Sequence, residues 1–401
     1  MRKYLIAAIM VCGVLDAYAT TGNNANNELE DTMYAQDGAK IVCSADNGLR
    51  FCKDNQGLPY NGMAFTEYEN KSMAKKDFYK NGYLDGLSIS YYDNGEIREE
   101  ITYKDGIADG LAKVYYENAT VKNEGTYKNG KLNGSIKAYY ANGALNKEGN
   151  YIDGILNGKA MTYYQNGQLL SEENYVDGKI NGKAVQYYEN GQLRQETVFI
   201  NNLIDGDSVV YYENGQLLSK AHFKNGKFDG ALTEFYPNGQ MKIEGSFVDD
   251  MKNGIFKVYN ENGKIMLQES YVNNKKEGDF AEYYENGQLK LESKYVDNML
   301  NGPAKEYYEN GQLKVQVDYA NNKMEGYKYM YYENGNLMAE GNFVNDNPEG
   351  IIKAYNDKGE LMGETLFVNG QAVQKPVSEP VNVDTTKLKE EVDENLPEIK
   401  N

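Results

Sequence analysis

Histidine occurs once in 401 residues, at His222, and tryptophan does not occur. A lone histidine excludes paired-histidine metal centres and leaves a single group that titrates near neutral pH. It occupies a slot filled elsewhere by Thr102, Asn150, Ser246 and Lys294, which marks a solvated strand position. There are three cysteines, too few for a disulfide-built scaffold. Cys12 falls in an N-terminal apolar run, leaving Cys43 and Cys52, and a lone pair in an oxidising compartment is most simply one disulfide. No glycine-rich loop precedes a phosphate-binding lysine, and no metal-spaced cysteine–histidine cluster or nucleophile elbow is present. No catalytic residue, metal or cofactor is therefore expected. Positive charge is also short: 42 Lys and Arg against 60 Asp and Glu give a net charge of −18. That balance disfavours nucleic acid or anionic lipid as a partner. The apolar run from Leu5 to Leu15 follows Arg2 and Lys3 and ends at Ala17-Tyr18-Ala19. It is shorter than the ~20 residues of a membrane span and has the build of a secretory signal peptide, 1–19, cut after Ala19. The expected location is the periplasm, outer envelope or extracellular space, with no transmembrane segment once the signal is removed.

What the chain has in abundance is tyrosine, 37 of them, and glycine, 41, both in strict register. Tyr187-Tyr188-Glu189-Asn190-Gly191-Gln192-Leu193 recurs at Tyr211, Tyr283 and Tyr307, with looser copies at Tyr91, Tyr139, Tyr163 and Tyr331. The turn glycines are Gly95, Gly143, Gly167, Gly191, Gly215, Gly239, Gly263, Gly287, Gly311, Gly335 and Gly359, spaced by 24 or 48 residues, with Lys71 and Ala119 standing in two further turns. A fixed short period means a repeat array. Thirteen 24-residue units fill 62–373, each begun by a glycine such as Gly62, Gly86 or Gly182. Residues 20–37 read as a flexible lead-in, 38–61 as a degenerate capping hairpin carrying the cysteine pair, and 374–401 as a disordered acidic tail.

Within a unit the period is two, rich in Tyr, Ile, Val and Thr, which makes two strands and two turns. Glu-Asn-Gly suits a three-residue hairpin loop ending in a left-handed glycine, and Asp-Gly or Asn-Gly suits a tight two-residue turn. One slot is aromatic in every unit, as at Tyr103, Tyr127, Tyr151, Tyr175, Phe199, Phe223, Phe247, Tyr271, Tyr295, Tyr319 and Phe343, and is expected to be the structural row. Leu193 and Phe199, six apart, are expected on one face and Glu196 on the other. The glutamate row (Glu100, Glu124, Glu148, Glu172, Glu196) repeats every second strand, roughly 9.5 Å apart, too far to share a cation. Adjacent strand residues point to opposite sides, so the second tyrosines form the expected binding face: Tyr92, Tyr116, Tyr140, Tyr164, Tyr188, Tyr212, Tyr236, Tyr284, Tyr308 and Tyr332.

The Tyr-Tyr-Glu-Asn-Gly-x-Leu-x-x-Glu-x-x-Tyr-x-x-Gly-x-x-x-Gly pattern over about residues 58–373 resembles the variant class of MORN repeats. The resemblance implies an all-β fold, an elongated antiparallel β-meander whose hairpins add edge to edge. It also implies a non-enzymatic role: members act as scaffolds or adaptors, and bacterial ones often carry the label of toxin–antitoxin antitoxin. In this chain Asn202, Asp250, Asn274, Asn298, Asn322 and Asp346 replace the second-turn glycine, and Asn and Asp tolerate left-handed geometry. The expected function is an exported protein offering a tyrosine-rich surface to a protein or glycan partner. The alternative is an antitoxin that neutralises a toxin in the cytosol.

Overall fold

A computed structural model of the chain describes residues 33–373. The signal peptide 1–19, most of the lead-in and the tail 374–401 lie outside the described residues. Those described form thirty-six strands and no helix, and every pairing is antiparallel. They divide into two compact units, one ending at Lys227 and the other beginning at Phe228. Within each unit, successive strands pair with their sequence neighbours, as the repeat pattern requires.

One repeat shows the construction. Strand Gly182–Tyr187 runs into a loop in which Gly191 N–H donates to Tyr188 O (2.9 Å) and Tyr188 N–H to Gln192 O (2.8 Å). Gly191 is left-handed at φ 84°, and the chain returns as strand Leu193–Ile200. Asn201 and Asn202, both at positive φ, make the two-residue turn into the next strand. Such a turn twists with the sheet and needs both residues left-handed. Lys71 and Ala119, which stand where the other units have the turn glycine, keep the same left-handed geometry (φ 68° and 65°) and the same turn hydrogen bonds. The loop context overrides the residue.

The N-terminal end is closed by four short strands: β1 (Met33–Ala35), β2 (Lys40–Asp46), β3 (Leu49–Lys53) and β4 (Gly62–Glu67). β1 pairs with both β2 and β4, so residues 33–35 are ordered rather than part of a flexible lead-in. Burial explains it, because Met33 and Ala35 are shut into a core with Ile41, Cys52, Ala64 and Tyr79. Cys43 and Cys52 are directly opposed across the hairpin and joined by a disulfide, with Cα atoms 4.0 Å apart. The hairpin lies along the second-turn edge of the array. Cys52 N–H donates to Gly82 O (2.7 Å), the Phe51 ring covers Gly82, and Leu49 covers Gly106.

The expectation that Leu193 and Phe199 share a face is overturned by a bulge. Tyr187 faces Leu193 while Gln186 faces Gln195, leaving Arg194 as an extra residue. An extra residue switches the alternation. Leu193 therefore lies with Tyr187 and Glu196, and Phe199 lies opposite with Ala184 and Thr197. The same register shift recurs at Tyr163, Tyr211, Tyr283 and Tyr307.

The Phe199 side is the core. In the first unit Tyr127, Tyr151 and Tyr175 pack with Leu132, Leu156 and Ile180. In the second, Tyr295, Tyr319, Phe343 and Phe367 pack with Leu300 and Met324. Tyr103, Phe199 and Phe247 of the same row are half-buried. Between the aromatics runs a row in which large and small residues alternate across the strands. Gly125 faces Ile136, and Gly149 faces it from the other side. Gly341 lies under Ile352, and Phe256 takes the space left by Gly245. A single layer fills its own volume this way, a large side chain on one strand lying over a glycine on the next.

Candidate interaction surface

On the face opposite the core, a tyrosine at the end of the first strand meets the glutamate of the preceding repeat in six repeats. Hydroxyls of Tyr115, Tyr139, Tyr163, Tyr259, Tyr307 and Tyr355 donate to Glu100, Glu124, Glu148, Glu244, Glu292 and Glu340 at 2.6–2.9 Å. Burial, reinforced by the accepting carboxylate, pushes the phenols of Tyr115, Tyr139, Tyr163, Tyr259 and Tyr307 up to about 12. Lysines complete the ladder, with Lys159 on Glu172 (2.7 Å), Lys183 on Glu196 (2.5 Å) and Lys305 on Glu292 (3.1 Å). The glutamate row is thus held by tyrosine and lysine within the chain.

The second tyrosines are placed differently from the display face expected of them. The hydroxyls of Tyr92, Tyr116, Tyr140, Tyr164 and Tyr188 donate to the main-chain oxygens of Tyr115, Tyr139, Tyr163, Tyr187 and Tyr211, each in the next repeat, at 2.7–2.9 Å. Tyr236, Tyr284, Tyr308 and Tyr332 do the same to Tyr259, Tyr307, Tyr331 and Tyr355. Tyr212 occupies the same half-buried slot. Several rings also carry the cation of the bulge residue: Lys122 over Tyr116, Arg194 over Tyr188 and Lys242 over Tyr236, at 5.6–5.7 Å. These tyrosines act as inter-repeat joints.

A further set of joints has no counterpart in the sequence reading. The side-chain oxygens of Asn202, Asp250, Asn274, Asn298, Asn322 and Asp346 accept from the N–H of Ile180, Phe228, Lys252, Lys276, Leu300 and Met324 in the preceding repeat, at 2.6–2.9 Å. Wherever the second-turn glycine is replaced by Asn or Asp, that side chain adds a bond glycine cannot make. The signal was the restriction of the substitutes to Asn and Asp.

Two titratable groups complete the survey. His222 is exposed and its Nδ1 lies 2.7 Å from Asp207, which also meets Lys220. Glu173 is 1% exposed in the central row, and burial pushes its carboxyl up to about 7. Among the described residues no cluster of three His, Cys, Asp or Glu is set to hold a metal ion, and no helix is long and apolar enough to cross a membrane.

Comparison with known proteins follows this geometry. No curated protein matches the chain. Among solved structures, a TcdB2-TccC3 complex is 11% identical over 84% of this chain and 20% of its own, with a TM-score of 0.16. A Photorhabdus luminescens Tc holotoxin pore is 13% identical over 82% and 18%, with a TM-score of 0.16. An alternansucrase in complex with isomaltononaose is 13% identical over 71% and 23%, with a TM-score of 0.17. The chain spans about a fifth of the length of those chains, and scores of this size carry no functional argument. The MORN repeat variant family matches at eleven places, from 84–105, 108–129 and 132–153 through to 300–321 and 324–345. Each match covers one first turn and the strands on either side of it, as 84–105 does around Gly95. The chain belongs to the MORN repeat variant family.

Proposed function

We propose that this is a non-enzymatic, exported interaction protein whose repeated tyrosine–glutamate–lysine face engages a protein or glycan partner at the cell envelope or outside the cell. The observation that carries the reading is the repetition itself. A half-exposed phenol and a carboxylate return at 24-residue spacing in most repeats on the face opposite the core, with a lysine beside them in several, as at Tyr163, Glu172 and Lys159. Tyrosine is favoured in contact surfaces because it offers a large, stiff, amphipathic area. Export is supported by the charged start, the short apolar run and the Ala17-Tyr18-Ala19 site, together with the Cys43–Cys52 bond, which persists in oxidising compartments. Fractionating expressing cells and sequencing the mature N-terminus tests it. The expected chain begins at Thr20 in the envelope or medium, whereas a cytosolic chain beginning at Met1 would remove the export reading.

A further inference from the structure

One repeat departs from the rest on the ladder face. The unit beginning at Gly326 places Tyr327 and Tyr329 where others hold Lys159 and Met161, Lys183 and Val185, or Pro303 and Lys305. Strand Gly326–Tyr331 alternates, so Tyr327, Tyr329 and Tyr331 share that face. The rings of Tyr327 and Tyr329 stack, with centroids 5.9 Å apart and planes 19° from parallel. Tyr327 is 55% exposed, the most of any large aromatic side chain among the described residues.

The surroundings are acidic and amidic. Asn342 stands opposite Tyr327, and Glu340 opposite Tyr329. Gln316 faces Tyr329 from the other side, and exposed Asp318 is the next residue of its strand on this face. Glu340 accepts from the Tyr355 hydroxyl (2.9 Å) and lies 3.9 Å from the Lys353 ammonium, both through the same oxygen, Oε1. Elsewhere the chain seats its own cations on aromatic rings: Lys122 on Tyr116 (5.6 Å), Arg194 on Tyr188 (5.7 Å), Lys252 on Tyr271 (4.6 Å) and Lys276 on Tyr295 (5.1 Å). Among the described residues none lies over Tyr327 or Tyr329.

We propose that Tyr327 and Tyr329, flanked by Asp318 and Glu340, form a docking site for a cationic side chain, arginine above all, on an extended segment of a partner protein. The proposal rests on the interaction role argued above and narrows it to one partner chemistry at one place. A guanidinium lies flat on a phenol ring while its planar N–H fork takes a neighbouring carboxylate by two parallel bonds, whereas an ammonium meets ring and carboxylate only as a point charge, as Lys276 does over Tyr295 and on Glu269. A neutral sugar would use the ring and the amides but gain nothing from the two carboxylates. In a chain of net charge −18, the field favours a cation approaching this face.

The test uses the full mature chain with a tetra-arginine peptide, its tetra-citrulline analogue and a neutral hexasaccharide, followed by calorimetry. Tetra-arginine is expected to bind, tetra-citrulline to bind far more weakly, and Tyr327→Leu with Tyr329→Leu to weaken arginine binding by at least roughly fivefold at unchanged circular dichroism. Because the acidic chain attracts cations everywhere, equal affinity in the variant would overturn the site. A photo-crosslinking arginine peptide on the unmodified chain gives a readout independent of variant folding, with adducts expected in 326–342 and overturned by adducts spread evenly along the repeats. Hexasaccharide binding lost in the variant would overturn the cationic assignment yet leave an interaction role standing. Failure of the export part of that reading would show separately, in the compartment and N-terminus of the mature protein.

Discussion

At the residue scale, two substitutions test how far context decides conformation. Ala119 sits at φ 65° where the other first turns, that of Lys71 apart, have glycine. A left-handed alanine costs about 1–2 kcal/mol, offset in part by the greater unfolded-state entropy of glycine. Ala119→Gly should therefore raise the local opening free energy by about 1 kcal/mol, read as slower amide exchange at 116–124; unchanged exchange would mean the loop is not strained. Gly245 is the converse case, since its backbone is extended and the obstacle is the Phe256 ring beneath it. Gly245→Ala should cost about 1–3 kcal/mol through overpacking. Phe256→Leu in the same chain should recover part of that loss, a coupling that a thermal-melt double-mutant cycle measures. Additive effects would remove the size-matching account.

At the scale of the element, joints between repeats decide which hairpin opens first. Asn298 combines a left-handed backbone with a side-chain bond from Lys276 N–H. Asn298→Ala loses the bond and keeps the strained backbone, at a cost of about 2 kcal/mol, while Asn298→Gly loses only the bond, at about 1 kcal/mol or less. Asn298→Asp should be near neutral. Hydrogen exchange over 276–300 ranks the three, and a glycine variant worse than the alanine one would refute the double role. Much of this level was legible in the sequence. Gly191 and its equivalents announced the first turn, the Asn-Gly and Asp-Gly pairs the second, and the aromatic at Phe199 the core row. Two things were not. Arg194 looks like any exposed strand residue, so the bulge that moves Leu193 to the other face left no local mark. The second tyrosines were assigned by alternation alone, which gives the side of the sheet and not what the hydroxyl will reach one repeat away.

For the whole molecule, the tyrosine–glutamate ladder makes stability depend on alkaline pH. The neutral phenol is the form the fold favours, with an ordinary value near 10 raised to about 12 at Tyr115, Tyr139, Tyr163, Tyr259 and Tyr307. Their contribution is fully present below pH 10 and is lost as pH rises through about 12, because the unfolded chain releases those protons first. Urea midpoints should fall steeply over that window, with tyrosinate absorbance appearing alongside unfolding. Tyr163→Phe should make the fall shallower, and an unaltered slope would mean the ladder is not what titrates. The charge balance was plain from composition, and the repeat from the spacing of its glycines and tyrosines. The proposed docking site was not, because it rests on what surrounds Tyr327 and Tyr329 on neighbouring strands.

The first-turn hydrogen bonds also bear on how the chain ages. Asn-Gly pairs are the sequences most prone to deamidation, in which the glycine nitrogen attacks the asparagine side-chain carbonyl. Here Asn142, Asn166, Asn190, Asn238, Asn286 and Asn310 each hold their side-chain oxygen on the N–H two residues ahead, at 2.8–3.0 Å. The glycine nitrogens at 143, 167, 191, 239, 287 and 311 are turned away, donating to the tyrosine carbonyl that opens each turn, at 2.8–2.9 Å. Attack requires breaking both contacts, so the folded array shields a row of otherwise labile bonds. Isoaspartate measured by peptide mapping after long incubation should therefore accumulate slowly in native protein and quickly in urea, and where it does appear it dates the opening of that hairpin.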